Sequence, residues 1–99
     1  MPRGAYPLPL EHREAWGRRL RAVRAVRGLS QGQLAGLSGR SQQLISHIEA
    51  GDRDAGVADG TKIVLAEALG VRPNDLFSLD PSDEWISIEE LLANGRRRR

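Results

Sequence analysis

The chain contains no cysteine, and this absence removes several kinds of chemistry at once. Disulfides, thiolate zinc sites and thiol catalysis are excluded, and nothing indicates an oxidising compartment. Long apolar runs are also missing: none approaches the roughly 20 residues that span a bilayer, and the start MPRGAYPLPLEHRE lacks the apolar segment of a secretory signal. We therefore expect a soluble, cytoplasmic protein with no membrane association.

Groups that carry catalysis are scarce as well. His12 and His47 are the only histidines, and no carboxylate pair or Ser-His arrangement comes with a pattern typical of a substrate-binding loop. One histidine such as His47 makes a weak metal site when no second ligand stands at a usable spacing. The sequence therefore predicts a protein that is not an enzyme, holds no metal and needs no cofactor.

Lysine occurs once, and the many arginines are unevenly placed along the chain. Residues 1–53 carry a net charge of +5, residues 54–95 carry −7, and the last four arginines, Arg96 to Arg99, add +4. A basic amino-terminal half is typical of a nucleic-acid binder, because arginines that contact phosphates release counterions. A GC-rich coding bias produces the same arginine excess, so charge alone leaves a plain solvated surface as the alternative.

The 99 residues fit one small helical domain with an extension at each end. Three prolines in residues 1–10 predict a flexible amino-terminal arm. Residues 11–79 form the predicted domain, and residues 80–99 an acidic amphipathic extension with a basic tail. Within the domain, apolar residues at three- and four-residue spacing from Glu11 predict an amphipathic first helix that stops at Gly28.

Two short helices separated by a tight turn are predicted next. Ser30-Gln31-Gly32-Gln33 has the form of a capping box, which predicts a second helix over 31–38 with its apolar face at Leu34, Ala35 and Leu37. Gly39 marks the turn, and Ser41 can cap a third helix over 42–50 that Gly51 ends.

Two further helices complete the predicted domain, and a third follows in the extension. Residues 61–69 predict a fourth helix, capped by Asp59 or Thr61, with core positions at Ile63, Leu65, Ala66 and Leu69. Pro73 opens a short fifth helix that buries Leu76 and Phe77. Ser87-Ile88-Glu89-Glu90 is a second capping box, which predicts a short acidic helix over 87–93.

The third predicted helix has two chemically different sides. At 100° per residue, its polar side chains fall within one arc of about 140°, and its apolar ones lie opposite. The polar set is Gln42, Gln43, Ser46 and His47, and the apolar set is Leu44, Ile45 and Ile48. Two helices around a tight glycine turn suit docking in the major groove of DNA, where glutamine pairs well with adenine. The alternative is an ordinary surface helix with a polar outer face.

Residues 16–77 resemble the Cro and repressor type of helix-turn-helix protein, also called the xenobiotic-response-element family. The residues that carry the resemblance are Gly17, Leu20, Arg24, Leu29-Ser30-Gln31, Leu34-Ala35, Gly39, Ser41-Gln42-Gln43, Ile45, Ile48-Glu49, Gly51, Leu65-Ala66 and Leu69-Gly70-Val71. The resemblance implies an all-α, five-helix fold like that of lambda repressor. It also implies a sequence-specific regulator of transcription, most often a repressor, that binds double-stranded DNA as a homodimer on palindromic sites.

The same resemblance implies roles for individual residues. Gln31 would hold a phosphate, supported by Ser41 and Ser46, while Gln42, Gln43 and His47 would face bases or backbone. Arg24 and Glu49 align with a pair that often bridges the first and third helices in this family.

The turn residue Arg40 and the loop after Gly51 depart from the family's usual pattern. Arg40 stands where the family has an apolar residue, so either the turn is more exposed or Arg40 reaches a phosphate. Arg53 follows Gly51 in a loop that is about two residues longer than the family's and could also contact DNA.

A protein-binding role is the rival interpretation. An antitoxin or an adaptor can use the same fold without reading DNA as its main task. Residues 80–92 are acidic and carry five large apolar side chains, Trp85, Ile86, Ile88, Leu91 and Leu92. That segment could cover its own domain, build a homodimer, or bind another protein.

Overall fold

The computed structural model describes residues 10–52, 57–77 and 88–96, which contain helices and no strand. The helices are α1 (Leu10–Val26), α2 (Gln31–Ser38), α3 (Gln42–Glu49), α4 (Asp59–Leu69), α5 (Pro73–Leu76) and α6 (Ile88–Arg96). The predicted all-α class is confirmed. Residues 1–9 of the predicted arm and the end of the basic tail lie outside the described residues. None of the described helices combines the length and the apolar character that a membrane crossing requires.

Helix α1 ends where the sequence predicts a left-handed residue. Gly28 has a φ of 70°, and the chain turns back so that the Leu29 amide donates to the Arg24 carbonyl at 3.1 Å. Leu29 then packs against the core. A residue with a Cβ is strained at this φ, so glycine stops the helix at the point where the second helix must begin.

The core lies between α1 and the helices that follow it. Its fully buried large side chains are Leu20, Val23, Leu34, Ile45, Leu65, Leu69, Val71, Leu76 and Leu91. At one edge Trp16 meets Phe77 edge to face, with the ring centroids 5.3 Å apart. The Nη1 of Arg19, a buried side chain, donates to the Leu76 carbonyl at 3.5 Å. The short α5 is therefore held to α1 by ring packing and by this hydrogen bond.

Helix α4 departs from its prediction in two ways. It begins at Asp59, two residues earlier than predicted, and its cap residue is Ala58, which makes no side-chain capping bond. Neither Asp59 nor Thr61 is the cap. Ile63 is also not a core residue, because 47% of it is exposed. At 100° per residue Ile63 lies about 160° from Leu65, on the opposite side of the helix.

Leu37 was predicted on the apolar face of α2, but 63% of it is exposed. The buried residues of α2 are Leu34 and Ser38. These two lie one turn apart on the same side of the helix, so Leu37 falls at the edge of the contact surface. An 8-residue helix that packs along one line leaves its flanking apolar positions in solvent.

Helix α6 packs back on its own domain. It contacts α1, and its Leu91 side chain has no solvent exposure. Near its end Gly95 lies directly against the Gly70 carbonyl and the Cα of Val71, where a Cβ would overlap both. The helix extends three residues past the predicted end at Ala93, and its predicted cap, Ser87, lies outside the described residues. Of the alternatives for this segment, the described part covers its own domain.

Candidate nucleic-acid interface

The α2–turn–α3 unit is shaped by caps that use only local residues. The Ser30 hydroxyl accepts from the Gln33 amide at 3.0 Å, and the Gln33 side chain accepts from the Ser30 amide at 2.8 Å. Gly39 ends α2 with a φ of 72°. The Ser41 hydroxyl then accepts from the Leu44 amide at 3.1 Å and opens α3. The predicted capping box, turn and third-helix cap are therefore present, and α3 follows α2 after a short turn.

Helix α3 buries one side and presents the other to solvent. Ile45 and Ile48 are buried, with Leu44 packed against the core. On the opposite side Gln42 and Gln43 are exposed, while Ser46 and His47 are half-buried. The two exposed amides stand at the amino end of the helix, which is the end that faces base edges when such a helix enters the major groove.

His47 is the last residue on the polar side of α3, and it lies beside Asp52. Its ring Nδ1 lies 3.7 Å from a carboxylate oxygen of Asp52, and both side chains are more than a third exposed. An exposed contact at this distance contributes little to stability. The contact lies at the carboxyl end of α3.

Glu49 joins three helices through its carboxylate. The Arg24 guanidinium donates from Nε to one oxygen at 2.6 Å and from Nη2 to the other at 2.9 Å. The side-chain nitrogen Nε2 of Gln31 donates to the second oxygen at 3.1 Å. The hydrogen bond to Glu49 is the main cause that raises the Arg24 pKa above its ordinary value; burial lowers it, and the nearby carboxylate charge raises it further. The predicted partners are together, and Glu49 also holds Gln31.

Arg24 makes one more hydrogen bond, and the backbones of α1 and α3 also approach each other closely. Arg24 Nη1 donates to the Leu29 carbonyl at 2.8 Å, so the guanidinium is bonded on three of its nitrogens. A Cβ placed on Gly17 would stand 2.6 Å from the carbonyl oxygens of Ile48 and Glu49. The end of α3 is therefore seated directly on the α1 backbone, and glycine is what permits the approach.

Gln42 lies over the first turn of α2. A Cβ placed on Gly32 would be 3.4 Å from the Gln42 side-chain oxygen, so the two helix amino ends are neighbours. From the sequence, Gly32 had no role beyond its place in the capping box, so this contact was missed. A glycine next to Gln31, in a helix that needs no flexibility, was the available signal. Gln42 therefore lies beside the amino-terminal turn of α2, the turn that also carries Gln31.

Arg40 occupies the turn between the two helices. Its Nε donates to the Thr61 hydroxyl at 3.0 Å, and its Nη1 donates to the Gly39 carbonyl at 3.4 Å. The guanidinium therefore spans the turn and the start of α4. Thr61 was predicted only as a cap, so its contact with Arg40 was missed. Arg53, the other arginine proposed from the sequence, lies outside the described residues.

Comparison with known proteins identifies the family of this arrangement. A family model described as "Helix-turn-helix domain" matches residues 15–77. The chain belongs to the helix-turn-helix family. The match contains α1 to α5, and α6 lies beyond it. The suspected family is thereby confirmed, and family membership supports a DNA-binding regulator of transcription.

A solved helix-turn-helix structure is similar over most of the same region. It is the restriction-modification controller protein C.AhdI from Aeromonas hydrophila, with 38% sequence identity and a TM-score of 0.61. The similarity covers 66% of this chain and 96% of that chain. The curated proteins contain no match to the chain.

Proposed function

We propose that this helix-turn-helix protein is a sequence-specific transcription regulator, most simply a repressor, that reads the major groove of double-stranded DNA with α3. The observation that carries the proposal is the exposed pair Gln42 and Gln43 at the amino end of a helix whose other side is buried. The helix presents these amides in a fixed direction because Ile45, Ile48 and Glu49 secure it to the domain.

Base reading in this proposal depends on amide chemistry. A glutamine amide can accept from N6 and donate to N7 of adenine, and each good bidentate pair contributes roughly 1–3 kcal/mol of discrimination. Gln42 and Gln43 are the first two residues of α3, so both reach the groove floor before the helix rises from it. Ser46 and His47, one turn later, contact bases or the adjoining backbone.

Phosphate contacts fix the register of the reading helix. The Gln31 amide nitrogen has two hydrogens and gives one to Glu49, so the second remains for a phosphate at the amino end of α2. The helix dipole favours an anion at that position. Ser41 and Arg40 supply further contacts along the same strand, and Arg53 is the remaining residue that the sequence proposes for DNA contact.

Two copies of the chain bind together in this proposal. One short helix reads only a few base pairs, and a two-fold dimer doubles the site by using a palindrome. The likeness to a restriction-modification controller protein supports control of a promoter. A role on DNA places the protein with the nucleoid in the cytoplasm, as the composition predicts.

Binding of another protein through residues 80–92 is the weaker candidate. Leu91, one of the five large apolar residues of that segment, is already buried against the domain. A partner would have to displace α6 or use its outer face, where Glu89 and Glu90 are exposed. The arrangement therefore favours α6 as part of the domain and not as a docking peptide.

The experiment that tests the DNA-reading proposal begins with selection of binding sites from random duplexes. Wild type is expected to prefer the selected site over scrambled DNA by about a thousandfold, with an affinity that falls steeply as salt rises. Gln42→Ala with Gln43→Ala should reduce this preference much more than the affinity for scrambled DNA.

Asn74→Ala is the matched control, because it removes an exposed amide from α5, away from α3. It should leave both affinities unchanged. Equal loss of specific and nonspecific binding in the Gln42 and Gln43 variants would refute their reading role. Failure of wild type to prefer any duplex would refute the function itself.

A further inference from the structure

Thr61 is a buried polar residue whose hydroxyl does not cap its own helix. Only 7% of it is exposed, although it stands in the first turn of α4. The cap residue of that helix is Ala58, and no side chain caps it. The Thr61 hydroxyl instead accepts a hydrogen bond from Arg40, 21 residues earlier in the chain. The buried hydroxyl therefore bonds to a side chain of the turn between α2 and α3.

The guanidinium of Arg40 lies along the start of α4. Its Nη2 would be 3.7 Å from a Cβ placed on Gly60, which is an ordinary contact distance. Its Nε is bonded to Thr61, and its Nη1 makes a long contact with the Gly39 carbonyl. Arg40 is thus held at both the turn and α4, in a half-buried position.

Several donors of Arg40 remain available. A guanidinium has five N–H groups, and the two described bonds use one on Nε and one on Nη1. The carboxylate in the adjoining turn, Asp59, is almost fully exposed and lies 3.9 Å from Lys62. No described ion pair joins Arg40 to a carboxylate. Its positive charge is therefore available to an anion outside the chain.

Arg40 also stands next to the surface that reads DNA in the proposed function. It directly precedes Ser41, the cap of α3, and follows Gly39 in the turn. The strand whose bases α3 reads must pass this turn. We propose that Thr61 is a positioning residue for DNA binding: its buried hydroxyl holds the Arg40 guanidinium with the outer N–H groups at a backbone phosphate. This inference rests on the proposed function.

The benefit of Thr61 is preorganisation. A free arginine side chain must give up rotamer freedom when it binds a phosphate, and a side chain already held in place gives up less. Removal of the hydroxyl should weaken DNA binding by roughly threefold to tenfold, the range expected for one side chain that must be ordered on binding. The loss should be the same for every sequence, because phosphate contacts carry no base information.

The test compares Thr61→Val, which removes the hydroxyl at nearly constant shape, with Thr61→Ser, which keeps it. Each is made alone and together with Arg40→Met. Affinities for the selected site and for scrambled duplex are measured over a salt series, and unfolding by urea is followed in parallel. Thr61→Ser should bind DNA like wild type even where the lost methyl lowers its stability. Thr61→Val should bind both duplexes more weakly, and Arg40→Met should lower the salt slope by about 1 for each protomer, or about 2 for the proposed dimer.

The double variant decides whether Thr61 acts through Arg40. In the Arg40→Met background, Thr61→Val should cause no further loss of affinity. An equal loss in both backgrounds, or wild-type affinity in Thr61→Val, would overturn the positioning role and leave the proposed function intact. Wild type that binds no duplex at all would overturn both.

Discussion

At the scale of single residues, Glu49 has the most consequential environment in the domain. Its side chain is only 6% exposed and accepts hydrogen bonds from Arg24 on α1 and Gln31 on α2. One carboxylate therefore connects the end of α3 with two other helices. A charge this far from water is tolerated because the guanidinium meets it on both oxygens.

Glu49→Gln removes the charge while it keeps the shape of the side chain. We expect the free energy of unfolding to fall by roughly 2 kcal/mol, because Arg24 loses its anionic partner in a partly buried position. Urea denaturation measures the change. Glu67→Gln, at an exposed position of α4, should leave the midpoint unchanged. The same midpoint for Glu49→Gln and wild type would contradict a structural role for the pair.

Gly17 and Gly36 allow the same substitution to be tested in two opposite environments. A Cβ on Gly17 would press on the Ile48 and Glu49 carbonyl oxygens at 2.6 Å, whereas a Cβ on Gly36 would meet nothing within 4 Å. Gly17→Ala should destabilise the domain by about 2 kcal/mol or more, because two helix backbones must separate. Gly36→Ala should stabilise it by about 1 kcal/mol through helix propensity. Chemical denaturation of both variants tests the pair, and a Gly17→Ala variant as stable as wild type would refute the close-approach explanation.

Some of these residue roles were predictable, and the difference lies in whether a family pattern already links the two partners. Arg24 and Glu49 were expected to pair because both belong to a recognisable family pattern. Gly32 and Thr61 were not linked to Gln42 and Arg40, since no local rule connects a glycine or a hydroxyl with a side chain on another helix. Only packing brings these groups within contact distance.

At the scale of elements, α6 distinguishes this chain from the part that the family model describes. It lies beyond residue 77, yet it contributes a fully buried leucine to the common core. Its amino-terminal turn carries Glu89 and Glu90, which is favourable at the positive end of a helix. The element therefore enlarges the core on the α1 side.

Leu91→Ala should lower the free energy of unfolding by about 2–4 kcal/mol, the usual range for a leucine removed from a packed core. Leu37→Ala is the matched control, because Leu37 is mostly exposed on α2 and its truncation leaves no cavity. Urea unfolding of the full chain distinguishes the two variants. Equal stability of Leu91→Ala and wild type would mean that α6 contributes little to the domain in solution.

Element boundaries were predictable where local caps set them. The bounds predicted for α2 are those observed, and α3 ends within one residue of its prediction, since Ser30, Gly39, Ser41 and Gly51 all act on their own turns. The start of α4 was misplaced because nothing caps it. Its first turn is fixed by packing and by the contact of Arg40 with Thr61.

At the scale of the whole molecule, the uneven charge suits one orientation on DNA. The basic residues lie mainly in the half that carries α1 to α3, and the acidic residues lie mainly after it. In the proposed function, phosphates attract the net positive charge of residues 1–53, and this favours association through the part of the chain that carries α3. Salt should weaken this steering together with the affinity.

The dimer proposal makes a geometric prediction for the operator. Two half-sites should lie about 10 base pairs apart from centre to centre, or a multiple of that, so that both reading helices face the same side of the duplex. Insertion of about 5 base pairs between them turns one half-site to the opposite side and should reduce binding to that of a single half-site. Insertion of a full turn is the control. Equal affinity for all spacings, with one chain bound per duplex in sedimentation, would contradict a dimer.

The sequence by itself determined the all-helical class, the family, the two short helices and the polar side of α3, because periodicity, caps and turn glycines act over a few neighbouring residues. The tertiary structure decided which apolar residues are buried and where α6 lies. It alone placed Gln42 over Gly32, Glu49 under Gln31, and Arg40 on Thr61. Those contacts join residues that are distant in the chain, and their distances depend on how whole helices pack.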